Sequence, residues 1–282
     1  NIVTTLPDYG ALIRSIGGVH VEVKVLSSPL QDPHYVDAKP SFIVALNQAD
    51  LLVSNGLELE IGWLPNLVVQ SRNPNIHQGQ PGHLKIASHI KDILEIPKGR
   101  IDRSMGDIHG GGNPHYYHDP LRMAQLLPIL AQRLSQLDPS HKTEYTQNQI
   151  LLKNTFDAFI HEAQRKFQAL SPTQRRIVGY HKSLNYLFDT LDIEVVAFLE
   201  PKPGVSPTPS HLAKVLSLMK KEKIKTIIQE THYPSKTSST LARLLRGNVV
   251  QLVGGTHPNE SYLEHIRTLT DQIYQALKRT AP

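Results

Sequence analysis

Apolar residues recur along this chain in two rhythms. Short, nearly continuous apolar runs at Ile2–Leu6, Val21–Leu26 and Ala49–Ser54 predict buried strands, and the turn Asn55-Gly56 closes the last of them. Between them, Asp8–Ser15 and Ser41–Asn47 carry apolar positions at three- and four-residue steps, which predicts helices. The same alternation resumes late in the chain. Strands are predicted at Arg176–Tyr180, Glu194–Leu199, Lys225–Gln229 and Asn248–Val253, with helices at His181–Leu191, Ser210–Glu222, Ser238–Leu245 and Ser261–Lys278. Strands alternating with helices predict parallel sheets covered on both faces.

One long helical pattern separates the two halves. From His141 to Leu170, Leu152, Phe156, Phe159, Ile160, Ala163 and Phe167 keep helical spacing without interruption, and Ser171-Pro172 ends it. Thirty such residues extend roughly 45 Å, enough to run along one small domain and into the next. The fold expected is therefore α/β: two lobes, each with a central, mostly parallel sheet flanked by helices, joined by one long rigid backbone helix. The divisions expected are 1–138, 139–171 and 172–282.

Residues 71–118 break the rhythm. They are rich in Gly, Pro, Asn and His and predict a long irregular excursion, which in a compact domain is usually functional. Asp119-Pro120 then supplies a cap and a first-turn proline. The helix that follows carries Met123, Leu126, Leu127, Leu130, Leu134 and Leu137, with a kink expected at Pro128.

Composition narrows the classes. With 39% hydrophobic and 20% charged residues the chain reads as globular, and no run of 18 apolar residues offers a membrane span. The net charge of +5 is scattered; Lys220, Lys221, Lys223 and Lys225, interrupted by Glu222, read as a solvated helix end rather than a nucleic-acid patch. The absence of cysteine excludes disulfides and thiolate metal sites, and is compatible with an oxidising compartment. The chain opens directly on a strand, so an exported protein would be seen here in mature or trimmed form.

Histidine is the abundant special residue, fifteen in all, so context must discriminate among them. Three lie in separate Gly/Pro-punctuated segments, each beside a turn or at a strand end: Asp32-Pro33-His34, Asn113-Pro114-His115 and Gly179-Tyr180-His181. Three neutral imidazoles at the mouths of βα units are what a divalent transition-metal site requires. Asp32 or Asp37 could take the second ring nitrogen of His34. His109 and His118 flank His115 and read as supporting or surface residues. A tetrahedron needs a fourth ligand, and Glu230, a carboxylate ending the apolar strand Ile227-Ile228-Gln229-Glu230, is the candidate. Its alternative role is to orient one of the histidines. His232 and His257 are weaker candidates. No zincin, Walker, dinucleotide or nucleophile-elbow motif occurs. Asn55-Gly56-Leu57-Glu58-Leu59-Glu60-Ile61-Gly62-Trp63 reads as structural.

Taken together, Asp32-Pro33-His34 with Lys39-Pro40-Ser41, Asn55-Gly56-Leu57-Glu58, Gly106-Asp107-Ile108-His109 and Asn113-Pro114-His115 resemble, in this order, the zinc- and manganese-binding receptors of ABC importers, the cluster A-I solute-binding proteins. The resemblance covers nearly the whole chain. It implies two α/β lobes joined by a single long helix, with the metal between them. His34 and His115 would come from the N-terminal lobe and His181 from the C-terminal one. It also implies a periplasmic location, a monomer, and delivery of the ion to a membrane permease. Two features depart from the family pattern. Many members place an aspartate in the loop after the last strand, where this chain has Gly254-Gly255-Thr256-His257-Pro258-Asn259-Glu260; that leaves Glu230, Glu260, His257 or water as fourth ligand. Only the stretch His109–His118 could stand for the long histidine-rich loop of many zinc receptors.

The expected function is a zinc receptor rather than an enzyme, with metal ligands His34, His115, His181 and Glu230. Manganese is less expected, because it is better served by carboxylates. Alternatives from other classes are a zinc hydrolase with three histidines and an open water position, and an adhesin or metal-scavenging module. A helix crossing both lobes would resist a wide hinge, so small lobe movements are expected.

Overall fold

A computed structural model describes residues 1–98 and 109–279. Gly106, Asp107 and Ile108 of the quoted motifs lie outside the described residues. Two four-stranded parallel sheets form the two lobes, as the alternation predicts. In the first, β1 (Ile2–Thr4) lies between β2 (Val23–Val25) and β3 (Leu51–Ser54), and β4 (His83–Lys85) closes the far edge. In the second, β5 (Arg176–Gly179) lies between β6 (Glu194–Phe198) and β7 (Thr226–Glu230), with β8 (Asn248–Leu252) outside β7. The central strands β1, β3 and β7 are buried along their whole length, because helices cover both faces of a parallel sheet.

The helices are α1 (Pro7–Gly17), α2 (Pro40–Asn47), α3 (Leu64–Ser71), α4 (Pro120–Ala124), α5 (Leu127–Leu137), α6 (Lys142–Gln168), α7 (Asn185–Thr190), α8 (Pro209–Lys221), α9 (Ser235–Leu245) and α10 (Tyr262–Arg279). Proline sits in the first turn of α1, α2, α3, α4, α5 and α8, where its missing N–H has no intrahelical partner to lose. Asp119 caps α4, accepting from the backbone N–H of Leu121 and Arg122.

Three local expectations differ from the structure. Strand β4, paired with β3 from Leu52↔His83 to Ser54↔Lys85, lies inside the stretch read as irregular; three residues cannot display a period. Helix α3 is also absent from the sequence pattern, masked by its proline and asparagine. Pro128 does not kink one helix but separates two. It lies in the first turn of α5, just where a continuous helix would have its ring meet the carbonyl of Ala124.

The 27-residue helix α6 joins the lobes, and one continuous core runs along it. That core takes Leu12 and Ile16 from α1, Phe156, Phe159, Ile160 and Phe167 from α6, and Ile266, Leu269 and Ile273 from α10. Phe156 stacks on Tyr262 at 5.4 Å between centroids and 2° between planes. The outer layers are separate: Phe42, Leu46, Trp63 and Leu67 in one lobe, Val215, Met219, Ile227 and Leu241 in the other. Each buried side chain of this size contributes about 1.5–3 kcal/mol, so a core shared by both lobes ties them together firmly. Among the described residues no helix is long and apolar enough to cross a membrane.

Candidate metal centre

Parallel strands deliver their next residues to one edge of the sheet, and ligands bind in the crevice beyond that edge. In the C-terminal lobe, β5 runs into His181, β6 into Glu200, and β7 ends on Glu230. From the N-terminal lobe come His34, in the loop between β2 and α2, and His109 and His115, in the segment before α4.

The two Pro-His segments are built alike. The Asp32 carboxylate accepts from the backbone N–H of His34 at 3.0 Å and contacts its Nδ1 at 2.7 Å. The Asn113 carbonyl oxygen accepts from the backbone N–H of His115 at 3.0 Å and contacts its Nδ1 at 2.8 Å. A proline between acceptor and histidine holds the turn, and the short Asp or Asn side chain closes it on the residue two positions on. The third imidazole has the same support from a distant residue, with His181 Nδ1 2.6 Å from Glu200 Oε2. With each Nδ1–H given to an oxygen, the Nε2 lone pair is left for a metal.

The loops themselves are pinned from behind. Trp63 donates to the Pro33 carbonyl at 3.0 Å, and Asn55 donates to the Pro114 carbonyl at 3.0 Å. Glu60 holds Asn55 in turn, accepting from the backbone N–H of Asn55 and Gly56 and from the Thr5 hydroxyl. The segment around Asn55 and Trp63, read as structural, is thus the support of both histidine loops.

Three pairs of imidazole centroids lie at similar separations: His34–His115 at 5.0 Å, His115–His181 at 5.2 Å and His34–His109 at 5.3 Å. Four imidazoles bound through Nε2 to one tetrahedral ion would have centroids about 5 Å apart and nitrogens about 3.3 Å apart. The Nε2 atoms of His34 and His109 are 3.2 Å apart. His34–His181 at 6.4 Å and His109–His115 at 6.5 Å are wider. The four rings therefore form one cluster, but among the described residues they do not close to ligand distance around a single point. Burial, reinforced by His34, His181 and His109 nearby, pushes His115 well below the usual imidazole range, so it stays in the neutral form that binds metal.

Glu230, expected as fourth ligand, meets His118, Ser183 and His232. Its Oε1 is 3.2 Å from His118 Nε2, and the Ser183 hydroxyl donates to its Oε2. His232 Nε2 stands 3.9 Å from Oε2. No described contact joins Glu230 to His34, His115 or His181. Burial would raise its pKa, but the hydrogen bond to His118 and the nearby His232 outweigh that and hold it at about 2. Glu260 accepts from the backbone N–H of His257 and closes the 254–260 loop on itself. The same loop meets the other lobe through Thr256, whose hydroxyl donates to Asp8 at 2.9 Å. Sequence reasoning placed His34, His115 and His181 together, set His109 aside, and missed Glu200.

Two parallel-sheet lobes on one long shared helix, with imidazoles from both at the crevice between them, define a metal-binding solute receptor. The chain matches the family model of the periplasmic component A of the zinc-uptake complex, ZnuA, over residues 2–276, and it belongs to that family. It is 27% identical over 280 residues to a Thermotoga maritima protein named for metal binding, covering 98% of this chain and 92% of the relative. It is 22% identical to the manganese ABC transporter substrate-binding lipoprotein scaA of Streptococcus gordonii, over 86% of this chain and 76% of that one. A ZnuA crystal structure superposes with a TM-score of 0.82 at 22% identity, covering 98% of each chain, which confirms the fold. The protein is thus a metal-binding receptor of an extracytoplasmic family whose relatives are substrate-binding components of metal ABC transporters. It is a solute-binding protein and not an enzyme, which closes the hydrolase alternative.

Proposed function

We propose that the protein is a zinc receptor that holds the ion through Nε2 of His34, His115, His181 and His109. The observation that carries this reading is the 3.2 Å approach of the His34 and His109 Nε2 atoms, in a cluster where His34, His115 and His181 have their Nδ1 atoms fixed by oxygens. An all-nitrogen site favours zinc over manganese, both by the affinity series and by manganese's preference for oxygen. Glu230 then acts through His118 and Ser183, bracing the wall of the site rather than closing the tetrahedron. We further infer that residues 139–171 connect an N-terminal lobe, 1–138, to a C-terminal lobe, 172–282, and that the ion is captured in the periplasm.

Metal competition by calorimetry on chelator-stripped protein tests this. One zinc site that excludes manganese and is lost in His115→Ala supports it. Manganese bound more tightly than zinc would make the protein a manganese receptor of the same fold, as the named function of the Streptococcus gordonii relative illustrates.

A further inference from the structure

The cavity that leads to the imidazoles carries one acidic side chain that the metal reading leaves unused. A space of about 180 Å³ is lined by His109, His115 and His181, and also by Glu95 and Lys182. Of the lining residues, His115 is buried, whereas the Glu95 and Lys182 side chains are 30% and 39% exposed. Glu95 belongs to the N-terminal lobe and grips the other lobe with both carboxylate oxygens. Oε2 accepts from Lys182 Nζ at 2.8 Å, and Oε1 accepts from the Asn185 side-chain amide. Lys182 directly follows the ligand His181.

The stretch that carries Glu95 is anchored just behind it. The Leu94 backbone N–H donates to the Tyr186 hydroxyl at 2.9 Å, and the Leu94 carbonyl accepts from the Asn113 N–H at 2.9 Å. Gly112 lets this stretch lie close, since a Cβ there would stand 2.4 Å from Ile93 and 2.8 Å from the Leu94 carbonyl. Beyond that anchor Glu95 itself has φ of +56°, a conformation non-glycine residues seldom adopt. Its hold on the C-terminal lobe is two partly exposed polar contacts. Contacts of this kind are weak and open readily, unlike the buried packing beneath them.

We propose that Glu95 is the gate residue of the metal site, setting how fast the ion enters and leaves without itself being a ligand. This rests on the reading of His34, His109, His115 and His181 as the metal ligands. While clasped, the carboxylate ties the lobes together over the mouth of the cavity. When Lys182 and Asn185 let go, the mouth opens and the ion passes. A gate raises one barrier shared by both directions, so its removal speeds association and dissociation together and leaves affinity almost unchanged. A lost ligand instead speeds dissociation alone and weakens affinity.

The test is stopped-flow kinetics with zinc, using a chromogenic chelator for dissociation, on wild type, Glu95→Ala, Glu95→Gln and His115→Ala. The gate predicts that Glu95→Ala raises both rates by about three- to tenfold with Kd within about twofold, from the size of the contacts removed. Glu95→Gln, which can still meet Asn185, falls between. Unchanged rates overturn the proposal, and so does a faster dissociation with proportionally weaker binding. Zinc held equally well by His115→Ala would instead refute the ligand assignment on which the gate depends.

Discussion

His34 Nδ1 lies 2.7 Å from Asp32 Oδ1, and the same oxygen accepts from the backbone N–H of His34 at 3.0 Å. One carboxylate thus sets both the turn and the ring, and leaves Nε2 facing the cleft. The carboxylate responds in kind: burial would raise the Asp32 pKa, but its hydrogen bonds to His34 outweigh this and hold it below the usual range. Asn113 repeats the arrangement on His115 with an uncharged amide.

Removing either support should therefore weaken metal binding without removing a ligand. Asp32→Ala and Asn113→Ala are each expected to lower zinc affinity by about 10- to 100-fold, the usual effect of losing such a partner. Asn113→Asp, which keeps an acceptor in place, should lose far less. Equilibrium competition against a chelator of known affinity measures this; equal losses for Asn113→Ala and Asn113→Asp would speak against the positioning role.

Glu200 should behave in the same way, although it stands nineteen residues from His181 in the sequence. Glu200→Ala is expected to weaken zinc binding by about 10- to 100-fold with the thermal unfolding of the metal-free protein little changed. Comparable affinity in the two proteins would show that His181 is oriented by something else.

That contrast shows what could be read from the chain alone. Asp32-Pro33-His34 and Asn113-Pro114-His115 spell out their turns in three consecutive residues, so both imidazoles were legible, and His181 was marked by the end of its strand. Glu200 reaches His181 only because β6 lies beside β5, a pairing no local pattern announces. Glu230 is a related case: a carboxylate ending an apolar strand marks a polar site, but not which partner will face it, and here that partner is His118. His109 had a visible signal, a histidine beside three glycines, yet its approach to His34 spans 75 residues and follows from tertiary packing. The alternating pattern carried both sheets and the long helix; β4 was too short to carry any.

Acid should act on the fold through His265. Burial, with His118 nearby, pushes this imidazole down from 6.5 to about 3, and its Nε2 has no hydrogen-bond partner among the described residues. The unfolded chain therefore takes up a proton first. The stability due to keeping His265 neutral is full above pH 6.5 and is lost as pH falls toward 3. Asp8, pushed up to about 6 by burial, works in the opposite sense: its share is present below pH 3.8 and is lost as pH rises through 6. Between about pH 6.5 and 4.5 the metal-free His265→Leu protein should lose less stability than wild type, by about 2–3 kcal/mol. Urea unfolding at both pH values checks this, and parallel losses in the two proteins would count against it.

The core that runs along α6 should limit how far the lobes can move. Phe156→Ala is expected to cost about 3–5 kcal/mol in the metal-free protein, because it removes a fully buried ring stacked on Tyr262. Metal-free and zinc-loaded wild type should have nearly the same radius of gyration by solution X-ray scattering. A wide closure on loading would contradict a core shared by both lobes.

The central claim is that four imidazoles, with His109 among them and Glu230 apart, hold the ion. X-ray absorption spectroscopy on zinc-loaded protein tests it most directly, with wild type beside His109→Ala and Glu230→Gln. Four nitrogen ligands at about 2.0 Å with strong imidazole scattering are expected in wild type, the usual zinc–nitrogen distance. One imidazole should be lost in His109→Ala, and none in Glu230→Gln. Three imidazoles and one carboxylate in wild type, unchanged by His109→Ala and disrupted by Glu230→Gln, would contradict the account.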